Sequence, residues 1–376
     1  MSRIDAIIEH LAEVAANPRK AAEEHARETG QGAVGVMPVY APEEIIHAAG
    51  FLPMGMWGGQ VGISKARAHT LPFTCSIMQS IMEQELNGVY DDLDAVVFSV
   101  PCDTLKCMSQ KWQGKSPAIA FTHPQNRKIP AAVPFLTEEY KLLQKRLENI
   151  LGLSISEEAL HRSVEVYNEN RGLMREFSAL AGEYAHILDP LKRHAVIKSR
   201  WFMEKSRHSA LVRELLDEIK KQPARAWSGK KVVLTGIMAE PAGLLEIFKD
   251  FNFAVVDDDL AQEGRQYRND APAGDNPLER LARWWQDFDG CSLATDPLKP
   301  RGRILLDMVK KHQADAVIVC MMKFCDPEEF DYPVYRAQLE KAGVPLLVIE
   351  VDLEAGSFEQ VRTRLQTFSE MLAGTA

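Results

Sequence analysis

Residues 95–110 read AVVFSVPCDTLKCMSQ, and the first half of that string decides the fold. Ala95–Val100 is a short apolar run rich in Val and entered from the polar pair Asp91-Asp92. That is the pattern of a strand buried on both faces of a parallel sheet. Pro101 cannot continue a ladder, so the chain leaves the sheet there. In an open α/β sheet ligands collect just past the carboxyl ends of the strands, which puts the Cys102 thiol at the mouth of a cleft. Asp103 or Thr104 is suited to cap the helix that follows.

The pattern returns near the end of the chain. Asp315-Ala-Val-Ile-Val leads to Cys325-Asp326-Pro327-Glu328-Glu329, and each copy then reaches a Pro that opens a second apolar run, Pro117-Ala-Ile-Ala-Phe and Pro345-Leu-Leu-Val-Ile. A strand–helix–strand text at Ala33–Trp57, with Pro42 in the first helical turn, is echoed from Lys231 through Pro241 to Asp259. The second copy carries an insertion placed within 262–300. The expected architecture is α/β: two doubly wound, flavodoxin-like parallel-sheet lobes related by internal duplication, joined by a helical segment and preceded by an N-terminal helix. The boundaries are 1–30 for the N-terminal helical segment, 31–136 for the first lobe, 137–226 for the helical connection and 227–376 for the second lobe.

A chain of 376 residues, 46% hydrophobic and 26% charged, has the composition of an ordinary globular protein with room for two domains. A net charge of −9 and the lack of a basic run argue against a nucleic-acid partner. No apolar stretch approaches ~18 residues, so no membrane span is expected. Met1–His10 lacks the apolar core of a signal peptide, which points to the cytoplasm. Six cysteines in such a compartment are not expected to pair. Each alone reads most simply as a small buried hydrophobe. No C-x-x-C is present, so any metal would draw its ligands from distant segments.

Other candidates follow in order. Leu71-Pro-Phe-Thr-Cys75-Ser opens a helix that Thr74 or Ser76 can cap, and a thiol at a helix N-terminus is expected to have a lowered pKa. One helix and one strand separate Cys75 from Cys102, a connection that brings neighbouring strand mouths together. His47 on the Pro42 helix reads as a hydrogen-bonded structural residue, and His123-Pro-Gln at a strand end as a site-lining candidate or an ordinary loop. Arg171, Arg175 and Arg200 fit a solvated helix face or an anionic cofactor. Asp257-Asp258-Asp259 fits helix capping, or a hard metal with general-base work, and Arg265 to Arg268 is placed to neutralise it.

Three thiols at strand and helix ends facing one cleft form a candidate [4Fe–4S] site, since a three-Cys set leaves one iron open to another ligand. Structural zinc prefers four closed protein ligands. Spacing alone leaves the choice open. The strings Pro38-Val-Tyr-Ala-Pro-Glu-Glu-Ile-Ile-His-Ala-Ala-Gly, Thr74-Cys75-Ser, Cys102-Asp-Thr-Leu-Lys, Met108-Ser-Gln, His123-Pro-Gln and Phe324-Cys325-Asp-Pro-Glu-Glu resemble the smaller, beta-type subunit of the 2-hydroxyacyl-CoA dehydratase and ATP-dependent benzoyl-CoA reductase family, over nearly the whole chain. The resemblance implies an oxygen-sensitive heterodimer with a larger homologous iron–sulfur subunit, a cluster in each subunit, a separate ATP-hydrolysing iron–sulfur activator and an acyl-CoA substrate. It implies Cys75, Cys102 and Cys325 as cluster ligands, with Asp103, Asp326 and His123 as candidates to line the cluster. Cys107 departs from the family pattern and reads as a further cluster-lining residue, either a spare ligand or a packing residue. No residue is assigned as catalytic. The Arg- and Ala-rich composition favours a benzoyl-CoA-type reductase that passes low-potential electrons to an aromatic thioester. The alternative is the beta subunit of an (R)-2-hydroxyacyl-CoA dehydratase working through a ketyl radical, and the second alternative a metal-free scaffold subunit.

Overall fold

The computed structural model describes residues 2–354 and 356–374. The chain opens with two helices, α1 (Arg3–Ala16) and α2 (Pro18–Thr29). The Ser2 hydroxyl caps α1 by accepting from the Asp5 amide. Its stripe of Ile4, Ile7, Ile8 and Leu11 is buried against helices met later in the chain.

The first lobe runs β1 (Ala33–Val36), α3 (Glu43–Ala48), β2 (Leu52–Gly55), α4 (Ser76–Leu86), β3 (Ala95–Ser99), α5 (Asp103–Lys111) and β4 (Ala118–Phe121). Its strands lie in the order β2-β1-β3-β4, all parallel. All five residues of β3 are buried, as a strand covered on both faces requires. Four helices follow: α6 (Ala132–Leu151), α7 (Glu157–Glu183), α8 (Pro190–Ser199) and α9 (Lys205–Lys220). The second lobe repeats the plan with β5 (Lys230–Gly236), α10 (Ala242–Asp250), β6 (Phe253–Leu260), α11 (Gly264–Tyr267), α12 (Pro277–Gln286), α13 (Arg301–His312), β7 (Ala316–Met322), α14 (Asp326–Lys341), β8 (Leu346–Val351) and α15 (Glu359–Gly374). The order β6-β5-β7-β8, again all parallel, matches the first sheet strand for strand. The expected insertion is α11 and α12, where the first lobe has only a 3₁₀ turn at Ala66–Ala68. No helix among the described residues is long and apolar enough to cross a membrane.

The helical connection holds both lobes. Helix α7 packs on α3 of the first lobe and on β6 of the second. Trp201, just past α8, meets both at once. Its ring closes on the bare face of Gly55, where an added Cβ would come 2.7 Å from the indole, and makes an edge contact with Trp57 at 5.2 Å. Its backbone oxygen accepts from the Gly55 amide at 3.1 Å, beyond the edge strand β2. Its indole N–H donates to the Gln262 carbonyl of the second lobe at 2.9 Å. Trp201→Ala therefore opens a cavity and orphans an acceptor, and is expected to cost about 3–5 kcal/mol. Urea unfolding of the two proteins measures the difference.

Candidate functional site

Three helices begin on a cysteine. Cys75 is the N-cap of α4, Cys102 of α5 and Cys325 of α14. The expected caps, Thr74 or Ser76 and Asp103 or Thr104, do not hold these positions. Ser76 and Asp103 are instead the first residues of their helices. The reason is geometric: β3 and β7 end a few residues before Cys102 and Cys325, so the thiol itself stands at the turn into the helix. Cys102 and Cys325 occupy matching places in the two lobes, and Cys75 enters from the neighbouring helix of the first.

All six cysteines are free, and these three are half-buried. Burial pushes the Cys75 thiol up to about 12, against the opposing pull of the Met78 and Ile77 amides. Burial likewise raises Cys102, opposed by the Leu105 and Thr104 amides, and Cys325, whose largest charged neighbour is Glu328. The lowered pKa expected for Cys75 is thus reversed, because desolvation outweighs the helix end. The amides favour a thiolate without closing a capping hydrogen bond onto the sulfur. The three sulfurs also lie within one another's fields. Cys102 acts on Cys75, both act on Cys325, and Asp326 of the second lobe acts on the two thiols of the first.

A single ion needs thiolates about 2.3 Å from one point. Among the described residues no group of three or more His, Cys, Asp or Glu meets that condition. A cube of four irons makes a different demand, with thiolates spread around its corners. Three thiols, each at a helix N-terminus and near enough to act on one another's charge across the two lobes, are donors of the kind such a cube takes, and the helix ends offer partial positive charge to an anionic group. A metal would also remove the protons that burial keeps on the free thiols.

The lobes close around this place. The Ser76 hydroxyl, next to Cys75, donates to the Met322 sulfur at 3.1 Å and accepts from the Leu353 amide at 3.3 Å. Beside it lies a cleft of about 400 Å³ lined by Leu71, Ser76, Gln79 and Phe324 and rimmed by the Arg67–Glu354 and Lys323–Asp352 ion pairs. Behind Cys325 the charges are buried. Arg301 binds Glu328 through two nitrogens, at 3.0 and 2.8 Å, and Asp259 through a third at 3.0 Å. Arg265 reaches Asp259 at 3.2 Å, and Arg268 pairs with Asp259 as well. Burial raises Glu328, but Arg301 and Arg265 outweigh it and leave the carboxyl below the ordinary range. The Asp257–Asp259 run is turned towards neighbouring side chains of the protein, Asp258 pairing with Arg193 and Asp259 with Arg265, Arg268 and Arg301, while Asp257 lies 3.1 Å from the His312 ring.

The other candidates separate. His47 is structural, bonded to the Ser163 hydroxyl at 2.8 Å and Glu204 at 3.0 Å. Arg171 is buried against Glu44, Arg175 pairs with Asp270 at 2.7 Å, and Arg200 donates to Asn170 at 3.0 Å. Arg171 and Arg200 are thus buried and do not lie on the solvated helix face expected of them. Cys107 is exposed on α5, so it neither packs in the core nor stands among the charges that dominate the three thiols. His123 is buried in an aromatic box, stacked on Trp285 and flanked by Tyr40 and Phe121, and both its ring nitrogens are unpartnered. Arg301, which organises the ground behind Cys325, escapes a reading of the sequence. Its partners lie 27 and 42 residues away, and no local pattern marks it.

This fold and set of thiols accompany membership of a known enzyme family. The chain belongs to the 2-hydroxyglutaryl-CoA dehydratase D-component family, whose pattern matches residues 38–372. It is 57% identical to the lactoyl-CoA dehydratase beta subunit of Anaerotignum propionicum, across 99% of this chain and all of that one. It is 42% identical to the (R)-phenyllactyl-CoA dehydratase beta subunit of Clostridium sporogenes, again over 99% of this chain and all of the relative. To a benzoyl-CoA reductase subunit of Thauera aromatica it is 26% identical, over 99% of this chain and 97% of the relative. The chain is an enzyme subunit of this acyl-CoA-acting family and works with a partner subunit. The reductase expectation drawn from composition gives way to the dehydratase alternative, which the higher identities favour.

His123 carries a pH signature. Burial holds it down to about 3, so the folded protein keeps it neutral. Its ordinary value in the unfolded chain is about 6.5. Between those values only the unfolded chain takes up the proton, so stability falls as the pH drops below about 6.5, by up to about 1.4 kcal/mol per pH unit. His123→Phe removes that contribution while filling the box. Unfolding free energies measured from neutral pH down to about 5 should show a shallower decline for the variant, by close to that slope.

Proposed function

We propose that this chain is the beta subunit of an (R)-2-hydroxyacyl-CoA dehydratase, acting in the cytoplasm on a short 2-hydroxyacyl thioester of the lactoyl type. What supports the reading is that three cysteines, each on a helix N-cap and drawn from two matching lobes, act on one another's charge. The relatives at 57% and 42% identity point to the same reaction. In this reading Cys75, Cys102 and Cys325 hold a [4Fe–4S] cluster, which supplies one-electron chemistry at low potential when bound. The reaction removes water from the 2-hydroxyacyl thioester to leave a 2-enoyl thioester, with no net change in electrons.

The residues of this chain have separable tasks. The three cysteines bind, and the first-turn amides of α4, α5 and α14 offset the charge of their thiolates. The half-buried setting of the sulfurs limits their contact with water, which helps protect a strongly reducing centre. The dimer is completed by the larger homologous subunit, and an ATP-hydrolysing iron–sulfur activator supplies the electron.

Anaerobic co-purification with the partner subunit tests this. About four irons and matching sulfide are expected in this chain. Cys102→Ser should lose most of that iron and reduce dehydration of lactoyl-CoA to background, while Cys107→Ser retains both. Reductant should be needed only in catalytic amounts, and benzoyl-CoA should pass unchanged. Stoichiometric consumption of electrons with an aromatic thioester would replace the dehydratase by the reductase, and only trace iron would leave a scaffold.

A further inference from the structure

Glu328 lies three residues beyond Cys325, in the first turn of α14, and is fully buried. A carboxylate taken out of water is costly unless it is bound on all sides. Here Arg301 grips both oxygens, Arg265 approaches at 3.5 Å and the Ser292 hydroxyl donates at 2.6 Å. Those donors occupy both carboxylate oxygens, so the group stands beside the thiols as a fixed charge and not as a ligand. Asp326, directly after Cys325, is exposed, and its charge reaches the two thiols of the first lobe.

Two influences therefore oppose one another at this seam. Helix N-termini and amides favour added electrons, whereas nearby carboxylates disfavour them. The buried carboxylate is screened least by solvent and salt, while Arg301 and Arg265, which hold it, offset part of its charge. Reducing an iron–sulfur centre adds a negative charge, so a fixed anion at its edge makes the reduced state harder to reach and a stronger donor once formed.

We infer that the first-turn carboxylates of α14, Glu328 more than Asp326, set the reduction potential of the metal centre low, with Arg301 and Arg265 serving to keep Glu328 in place. The inference rests on the three cysteines holding a cluster. Glu328 is in this sense a positioning residue for charge, touching neither substrate nor iron.

The test is redox titration, by electron paramagnetic resonance, of the anaerobically purified complex with its partner subunit. The signal belonging to this chain is the one that disappears in Cys102→Ser. In Glu328→Gln it should titrate to a reduced-to-oxidised ratio at least tenfold higher at the poise that half-reduces the wild type, or about 59 mV for one electron. Asp326→Asn, on the exposed side, keeps the fold and should shift the ratio in the same direction by less. Asp331→Asn also touches Arg301, at 3.4 Å, but sits farther along α14 and should leave the ratio unchanged. A Glu328→Gln complex with full iron and an unmoved or lowered potential overturns the inference. If that variant does not accumulate, an unmoved potential in Asp326→Asn overturns it. Wild-type protein without iron removes the cluster reading itself, and this inference with it.

Discussion

Charge buried between elements far apart in sequence is the constraint on which this molecule depends. Arg301 lies at the start of α13, Asp259 on β6 and Glu328 on α14, and the three meet with almost no exposure to water. Each is tolerable only because the others are present: removing one partner of a buried pair typically costs about 3–5 kcal/mol, whereas an intact set often adds little net stability. The network's effect is therefore one of specification. It lets α14 leave β7 in one direction, which sets Cys325 toward the first lobe, and Arg67–Glu354 and the Ser76 contacts close the same seam from the other side. A second set, Glu43 with Lys205 and Glu44 with Arg171, fastens α3 to the helical connection in the same manner.

Much of the fold is legible because its signals are local. The apolar runs at Ala95–Val100 and Ala316–Val319 read as buried strands without reference to anything else, and Pro101 and Pro327 punctuate them. The duplication is legible because both copies keep that punctuation, and the insertion because they fall out of step between 262 and 300. What misleads depends on surroundings that no short stretch displays. Capping preferences name Ser, Thr and Asp, so Cys75 and Cys102 do not read as caps. A helix end lowers a thiol's pKa, but at Cys75 the burial that comes with tertiary packing reverses this. Arg301 is invisible for the same reason. Overall composition, which suggests an aromatic substrate, describes the whole chain and carries no information about one cleft.

The site's residues are legible as a set before they are legible as a place. Three cysteine contexts in a fixed order identify the family pattern, while the geometry adds how they are presented: at the caps of three helices, with amides behind and carboxylates beside. In the proposed cluster reading, that arrangement would join two tendencies an electron carrier must balance, holding an anionic centre together and keeping its electrons easy to release.

The two lobes share one plan but do not end in the same residues. Helix α4 of the first lobe and α13 of the second occupy equivalent places, each lying between the second and third strands of its sheet. At the head of α4 stands Cys75, and at the head of α13 stand Pro300 and Arg301. A perfect twofold would present four sulfurs, two from each half, whereas this chain presents three and a guanidinium that turns back to grip Glu328. Pseudosymmetry is thus broken at the helix heads: the first lobe offers two cysteines there and the second only one, with an ion pair at the place the other would take.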